Sequence, residues 1–146
     1  MELSPVQRTA LAVKRLQHRH HRELDARLRG IGTTLSQWDA LRHVARSPGA
    51  STRELAALTF MTDQSFGALA IKLAEQGLVT RTPGQGRVVH HAVTPEGEAM
   101  LEKATAIADE VFADSFAPLS EVDRATLETL LTRVLDGWAT RDRPRP

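Results

Sequence analysis

The chain has 146 residues, of which 41% are hydrophobic and 25% are charged. This composition is typical of one globular domain, or of one compact subunit with an extension, and it argues against general disorder. The sequence has no cysteine, which excludes disulfides, thiolate catalysis and zinc sites built from cysteine. No apolar run is long enough to span a bilayer, and the first 30 residues lack the apolar centre of a secretory signal, so we expect a cytoplasmic protein.

Charge is distributed unevenly along the chain. Residues 1–95 hold 13 Lys/Arg and 7 Asp/Glu, a net charge of +6, whereas residues 96–136 hold 3 Lys/Arg and 10 Asp/Glu, a net charge of −7. Residues 137–146 add +2, which gives the formal total of +1. The asymmetry favours an anionic partner for the first two thirds of the chain.

The first half of the chain predicts four helices. Apolar residues at helical spacing predict a long helix over residues 5–29, followed by glycines that end it. Ser36 is predicted to cap a second helix that stops before Pro48. The S-x-x-E pattern of Ser51 and Glu54 predicts a capping box that opens a short third helix. Thr62 or Asp63 is predicted to cap a fourth helix, which Gly77 closes and whose inward side carries Phe66, Leu69, Ala70 and Leu73.

The second half predicts a hairpin and two more helices. Strand-like runs at residues 78–82 and 87–93 flank the turn sequence PGQG. Thr94 is predicted to cap a fifth helix that reaches about Phe116, and Ser120 to cap a sixth. The sixth helix repeats apolar residues at helical spacing, namely Leu127, Leu130, Leu131, Val134, Leu135 and Trp138.

This order predicts a mainly α fold of the α+β type, in which a winged helix-turn-helix with a two-stranded wing is flanked by terminal helices. We expect an N-terminal dimerisation helix over 1–34, the winged lobe over 35–95, C-terminal dimerisation helices over 96–140 and a frayed tail over 141–146. The apolar stripes of the terminal helices favour burial against a second copy in a two-fold dimer. The alternative is that these helices pack on their own subunit.

Four motifs in this order resemble the MarR family of bacterial transcription regulators. They are LSQWDAL (residues 35–41), STRELAAL (51–58), KLAEQGLVTR (72–81) and VTPEG (93–97). The resemblance implies a homodimer that reads a roughly palindromic operator, acts as a repressor and is released by a small aromatic acid, phenol or drug. Two features depart from the family. Gly67 and Ala68 stand where the recognition helix of the family often has a Thr-Arg pair. The wing is short and lacks the aspartate that usually precedes its arginines, so that only Arg87 matches the family pattern.

Candidate DNA contacts fall on two helix starts, the fourth helix and the wing. Helix N-termini bind phosphates through free N–H groups, glutamine can pair with adenine, and a wing arginine can enter a narrow minor groove. Gly67 interrupts a helix and so indicates a close approach, either by DNA or by a neighbouring helix. The predicted set is Ser51, Thr52, Arg53, Thr62, Gln64, Ser65, Gly67, Ala68, Lys72, Arg81, Arg87 and His90, with capping and solvation as the alternative roles.

Candidate effector contacts combine a basic, histidine-bearing first helix with a tryptophan on the second. Such a surface suits an anionic aromatic compound. The predicted set is Arg15, His18, Arg19, His21, Arg22, Trp38 and Arg42. The alternative is that Trp38 belongs to the core and that the histidines are solvated.

Other functional classes find less support in the sequence. The histidines of QHRHHREL do not converge from one helix, and neither an i,i+4 histidine pair nor H-E-x-x-H occurs, so we predict no metal site, with a metal-responsive regulator as an alternative. No glycine-rich phosphate loop or G-x-S-x-G elbow is present, so we predict neither an enzyme nor a cofactor. A winged-helix module that binds protein instead of DNA is the remaining alternative.

Overall fold

The computed structural model describes residues 2–141, which form six helices and one two-stranded antiparallel sheet. The elements are α1 (Pro5–Arg29), α2 (Leu35–Arg46), α3 (Thr52–Leu58), α4 (Asp63–Glu75), β1 (Val79–Pro83), β2 (Val89–Val93), α5 (Pro95–Phe116) and α6 (Glu121–Arg141). The mainly α, winged-helix order predicted from the sequence is confirmed. The chain divides into two compact units, Met1–Val111 and Phe112–Pro146. Of the predicted tail, residues 142–146 lie outside the described residues.

Short-range capping starts the first three helices. Each begins with a capping box. The hydroxyl of the N-cap residue accepts a hydrogen bond from the backbone N–H of the residue three positions later, and the side chain of that later residue accepts one from the backbone N–H of the N-cap residue. The predicted box of Ser51 and Glu54 is confirmed. The predicted cap at Ser36 is wrong, because Thr34 has the extended backbone of an N-cap and exchanges both bonds with Gln37. Ser36 therefore lies within the first turn of α2.

The core of the winged lobe lies where α2, α3 and α4 meet β1. Three residues of α4, namely Phe66, Ala70 and Leu73, are buried, while Leu69 is half-buried. Burying a large apolar side chain contributes about 1.5–3 kcal/mol, so this face fixes the helix on its lobe. The other buried members of the core are Ala40, Leu41, Val44, Leu55, Ala56, Leu78 and Val79.

The wing is shorter than the sequence predicts. β1 and β2 pair antiparallel from Val79 opposite Val93 to Pro83 opposite Val89. β1 therefore starts one residue later than expected, and β2 starts two residues later. The Gly84 N–H donates to the Val88 carbonyl at 2.7 Å, and the Val88 N–H donates to the Gln85 carbonyl at 3.2 Å. These bonds draw the residues before Val89 into the turn, which removes them from the strand.

The VTPEG motif joins the base of the wing to α5. The Thr94 hydroxyl donates to the Gly77 carbonyl at 2.5 Å and accepts the Gly97 N–H at 3.0 Å. Gly97 is buried, and a Cβ on it would lie only 2.0 Å from the Leu78 carbonyl oxygen. The first turn of α5 can approach the wing this closely only because Gly97 has no side chain.

The terminal helices expose apolar side chains. Val6 of α1 is 79% exposed and Val122 of α6 is 74% exposed. The predicted cap at Ser120 is present, since its hydroxyl accepts the Asp123 N–H at 3.1 Å. Further large apolar residues of α6 are also exposed, namely Leu130, Leu131, Val134, Leu135 and Trp138. None of the helices in residues 2–141 has the length and apolar content needed to cross a bilayer.

Phe60, in the turn between α3 and α4, combines a left-handed backbone with a fully exposed ring. Its φ is +56°, and its side chain is 98% exposed. A non-glycine residue with a left-handed backbone lowers the stability of the fold by about 1–2 kcal/mol. Because the Phe60 ring is exposed, its burial does not offset this cost.

Phe60→Gly is therefore expected to raise the free energy of unfolding by about 1 kcal/mol, because glycine adopts this backbone without the steric cost. The measurement is the urea midpoint at a fixed protein concentration. Phe60→Ala is the matched control, since it removes the ring but keeps a Cβ. A glycine variant no more stable than the alanine variant would contradict the assignment of strain.

Candidate nucleic-acid interface

A cleft of about 710 Å³ lies between the first turn of α3, the start of α4 and the wing. Its outer side carries the exposed guanidinium groups of Arg53, Arg81 and Arg87. The structure brings together seven of the twelve predicted DNA contacts in this cleft, namely Ser51, Thr52, Arg53, Gly67, Arg81, Arg87 and His90.

The remaining five predicted contacts lie on the exposed side of α4, outside the cleft lining. The Thr62 hydroxyl caps α4 by accepting the Ser65 N–H at 3.1 Å, and it donates to the Ser65 hydroxyl at 2.9 Å. This pair keeps the first turn of α4 rigid and leaves the other N–H groups directed outward. The five residues are Thr62, Gln64, Ser65, Ala68 and Lys72, and all are exposed.

The cleft also contains two carboxylates that sequence reasoning did not assign to it. Glu54 accepts bonds from the Ser51 N–H at 2.7 Å and from the Ser51 hydroxyl at 2.8 Å. These two bonds hold the pKa of Glu54 below its ordinary value. Asp63 lines the cleft from the start of α4, and the capping box itself could have signalled Glu54, since it places that carboxylate beside Ser51. Val88 and Val89, the other unpredicted lining residues, belong to the wing.

Hydrogen bonds attach the wing to the linker between α2 and α3. The Gly49 N–H donates to the His91 carbonyl at 2.9 Å, and the His91 N–H donates to the Ala50 carbonyl at 3.1 Å. The Nδ1 atom of His90 lies 2.7 Å from the Gly49 carbonyl oxygen, and Ser51 forms a bridge with His90. These bonds fix the position of the wing relative to the first turn of α3, and both elements line the cleft.

His91 is buried beneath the wing and contacts α4. It is 1% exposed, and its ring meets Phe66 edge to face, with centroids 5.9 Å apart. Nδ1 lies 3.3 Å from the Ala50 carbonyl oxygen, while Nε2 is buried without a hydrogen-bond partner among the described residues. Burial lowers the pKa of His91, the bond to Ala50 raises it, and the charge of Arg81 on β1 and that of His90 lower it.

The predicted effector contacts form two groups. Arg15, His18 and Arg19 line a groove of about 460 Å³ on α1, together with Leu11 and Lys14. His21 and Arg22 are exposed on the same helix outside this lining.

The second group lies on α2. Trp38 is 5% exposed, and its indole N–H donates to the Thr105 hydroxyl at 3.4 Å. The guanidinium of Arg42 lies 4.7 Å from the Trp38 ring centroid and 2.6 Å from Asp39, yet its Nε is buried and unpartnered among the described residues. The Trp38 and Arg42 pair thus leaves one buried donor without an acceptor.

Within residues 2–141, no three His, Asp or Glu side chains are placed where they could hold a metal ion together.

Comparison with known proteins shows what the chain is similar to. The MarR family model matches residues 31–87, which run from the α1–α2 turn to the wing. The chain is 29% identical over 114 residues to the HTH-type transcriptional repressor Rv2887 of Mycobacterium tuberculosis, covering 77% of this chain and 82% of that protein. The chain is similar to the MarR family over this segment.

Two solved structures of Rv2887 resemble this chain along most of its length. The complex with DNA has a TM-score of 0.73 at 25% identity and covers 86% of this chain and 95% of the other. The complex with p-aminosalicylic acid has a TM-score of 0.71 at 26% identity and covers 86% and 96%. The similarity extends beyond the winged lobe, since the coverage is larger than that segment alone.

The stability of the protein is expected to fall in mild acid through His91. The folded pKa of His91 lies below the value of 6.5 for an unfolded chain, so the fold favours the neutral ring. Its contribution to stability is complete above about pH 7.5 and is lost as the pH falls through 6.5 towards the folded pKa. His91→Leu should therefore flatten the dependence of the unfolding midpoint on pH in this window.

His21→Gln, at an exposed position of α1, is the control for the general effect of removing a histidine. If the His91→Leu and wild-type proteins lose stability in parallel between about pH 7.5 and pH 5.5, the assignment to His91 is wrong.

Proposed function

We propose that this protein is a homodimeric repressor of the MarR family that binds duplex DNA through α4 and the cleft beside it. The observation that carries the proposal is the cleft itself. It combines the N-terminus of α3, the start of α4 and three exposed arginines, and it lies beside the exposed polar residues of α4. Because it acts on chromosomal DNA, we assign it to the cytoplasm, and we assign it no reaction.

Phosphate contacts come from the cations and the helix ends in this proposal. Arg53, Arg81 and Arg87 are exposed and can neutralise phosphates, while the first turns of α3 and α4 offer N–H groups. The polar start of α4, with Gln64 and Ser65 exposed, meets base edges. The relative Rv2887, which forms a complex with DNA, supports this assignment.

Dimerisation involves the terminal segments, 1–34 and 96–140, in this proposal, with the winged lobe over 35–95 between them. Large apolar side chains of α1 and α6 are exposed in the single chain, Val6 and Val122 among them. Exposed apolar surface on terminal helices is best covered by a second copy, which places two lobes at a fixed separation for the half-sites of a palindrome.

Release of DNA is assigned to an anionic aromatic effector. The buried Nε of Arg42, which has no partner in the described part of the chain, lies beside Trp38, and the groove on α1 supplies Arg15, His18 and Arg19. A carboxylate would satisfy the donor, and an aromatic ring would suit the tryptophan. Rv2887 forms complexes with p-aminosalicylic acid and with salicylic acid, which supports this class.

A protein-interaction module is the second candidate, and one observation favours it. Phe60 and Leu58 expose apolar side chains at one end of the helix-turn-helix, and Ile71 exposes another on α4. Exposed apolar groups in a lobe of this size are typical of protein contacts. Such a module would not respond to bulk competitor DNA or to salt in the way a DNA-binding protein does.

The purified protein is expected to retard duplexes taken from the DNA upstream of its own gene, and salicylate is expected to release them. The measurement is a gel retardation titration with and without salicylate, with bulk DNA as competitor. Benzyl alcohol is the matched control compound, because it keeps a ring and lacks the carboxylate. A monomeric protein, or one that ignores all duplexes in dilute buffer, would refute the proposal.

Arg87→Ala is expected to weaken binding across many sequences and to reduce the slope of log affinity against log salt by about 0.9, because one phosphate contact is lost. Lys103→Ala is the control, since Lys103 is an exposed cation of α5 outside the lobe. The two slopes are measured by fluorescence anisotropy. An Arg87→Ala slope that matches wild type would reject the wing contact.

A further inference from the structure

α4 has a glycine in its interior. Gly67 is the fifth of its 13 residues, and it lies between the buried Phe66 and the exposed Ala68. Glycine destabilises a helix interior relative to alanine, because the unfolded chain loses more conformational freedom there. The position therefore requires an explanation from the packing of the lobe or from something that binds it.

Packing within the lobe does not require this glycine. A Cβ at Gly67 would have a single neighbour within 4 Å, the Cγ2 methyl of Thr52 at 3.8 Å, which is an ordinary van der Waals contact. The backbone of Gly67 does not have a positive φ. Gly97 shows the contrast, since a Cβ there would overlap the Leu78 carbonyl. The fold explains Gly97 and leaves Gly67 to be explained by a ligand.

The missing side chain leaves a small apolar notch in the cleft. Its floor is the Thr52 methyl group, and Gly67 and Thr52 both line the cleft that Arg53, Arg81 and Arg87 surround. The adjacent Ala68 adds a second exposed methyl on α4. The notch thus has an apolar floor, and the cleft around it is lined by three arginines and by the carboxylates of Glu54 and Asp63.

We propose that this notch accepts the C5 methyl of a thymine, so that Gly67 makes the protein select thymine at one position in each half-site. The C5 methyl is the one apolar group on the major-groove edges of the four base pairs, and threonine and alanine methyls are its usual contacts. A Cβ at Gly67 would occupy the same space. The inference rests on the proposed function, because it needs α4 in the major groove.

The test pairs one methyl on the protein with one methyl on the DNA. The probe is the shortest upstream duplex that wild type binds, with each thymine replaced singly by deoxyuridine, which removes only the C5 methyl. At one position per half-site, deoxyuridine is expected to weaken wild-type binding about fourfold, as for one buried methyl group. Gly67→Ala is expected to lose about tenfold per half-site on the thymine duplex through overpacking, and to regain most of the loss in the half-site where deoxyuridine replaces the thymine.

The deoxyuridine duplexes are the matched controls, since they differ from the thymine duplex by single methyl groups. Thermal unfolding shows that the variant is folded, with a melting temperature equal to or above wild type. If Gly67→Ala binds like wild type, or is weakened equally on thymine and deoxyuridine at every position, the thymine assignment is overturned. If wild type binds the duplex and Arg87→Ala weakens that binding, the proposed function stands whether or not the thymine assignment is overturned. If wild type binds no duplex, the proposed function and the thymine assignment are both overturned.

Discussion

The orientation of α4 depends on the burial of its apolar face. Phe66, Ala70 and Leu73 are inserted among α2, α3 and β1, and they lie three or four residues apart on one side of the helix. Because that side is fixed, the polar first turn and Lys72 must lie on the exposed side. The same constraint explains how a helix with few polar residues can still present a DNA-binding surface, since its apolar residues are used for attachment to the lobe.

The wing is held to this arrangement by hydrogen bonds as well as by side-chain packing. The linker residues Gly49 and Ala50 bond to β2, and Thr94 links the end of the wing to Gly77 at the end of α4. The arginines of the cleft are thereby carried on elements that share bonds with α3 and α4. A shift of one of these elements would move the others, which is the kind of coupling an effector needs in order to change DNA affinity.

Several positions in the lobe lower stability within the single chain. Phe60 has a strained backbone, Gly67 lies in the interior of α4, and His91 has a buried nitrogen with no hydrogen-bond partner among residues 2–141. Local rules are most often broken at functional sites, because a binding surface is selected for its partner and not for the stability of the free protein. The concentration of such residues around α4 and the wing agrees with the proposed DNA-binding role of this surface.

The sequence by itself determined the helices, the hairpin and the capping box of Ser51, because capping, periodicity and turn chemistry depend on residues only a few positions apart. It placed the cap of α2 two residues late, at Ser36 in place of Thr34, because both residue types can cap and neighbouring positions compete. Only the tertiary structure decided that His91 is buried against Phe66, that Glu54 and Asp63 share the cleft with three arginines, and that Gly67 has room for a side chain. Each of these facts depends on segments far apart in the chain, whose distances no local pattern specifies.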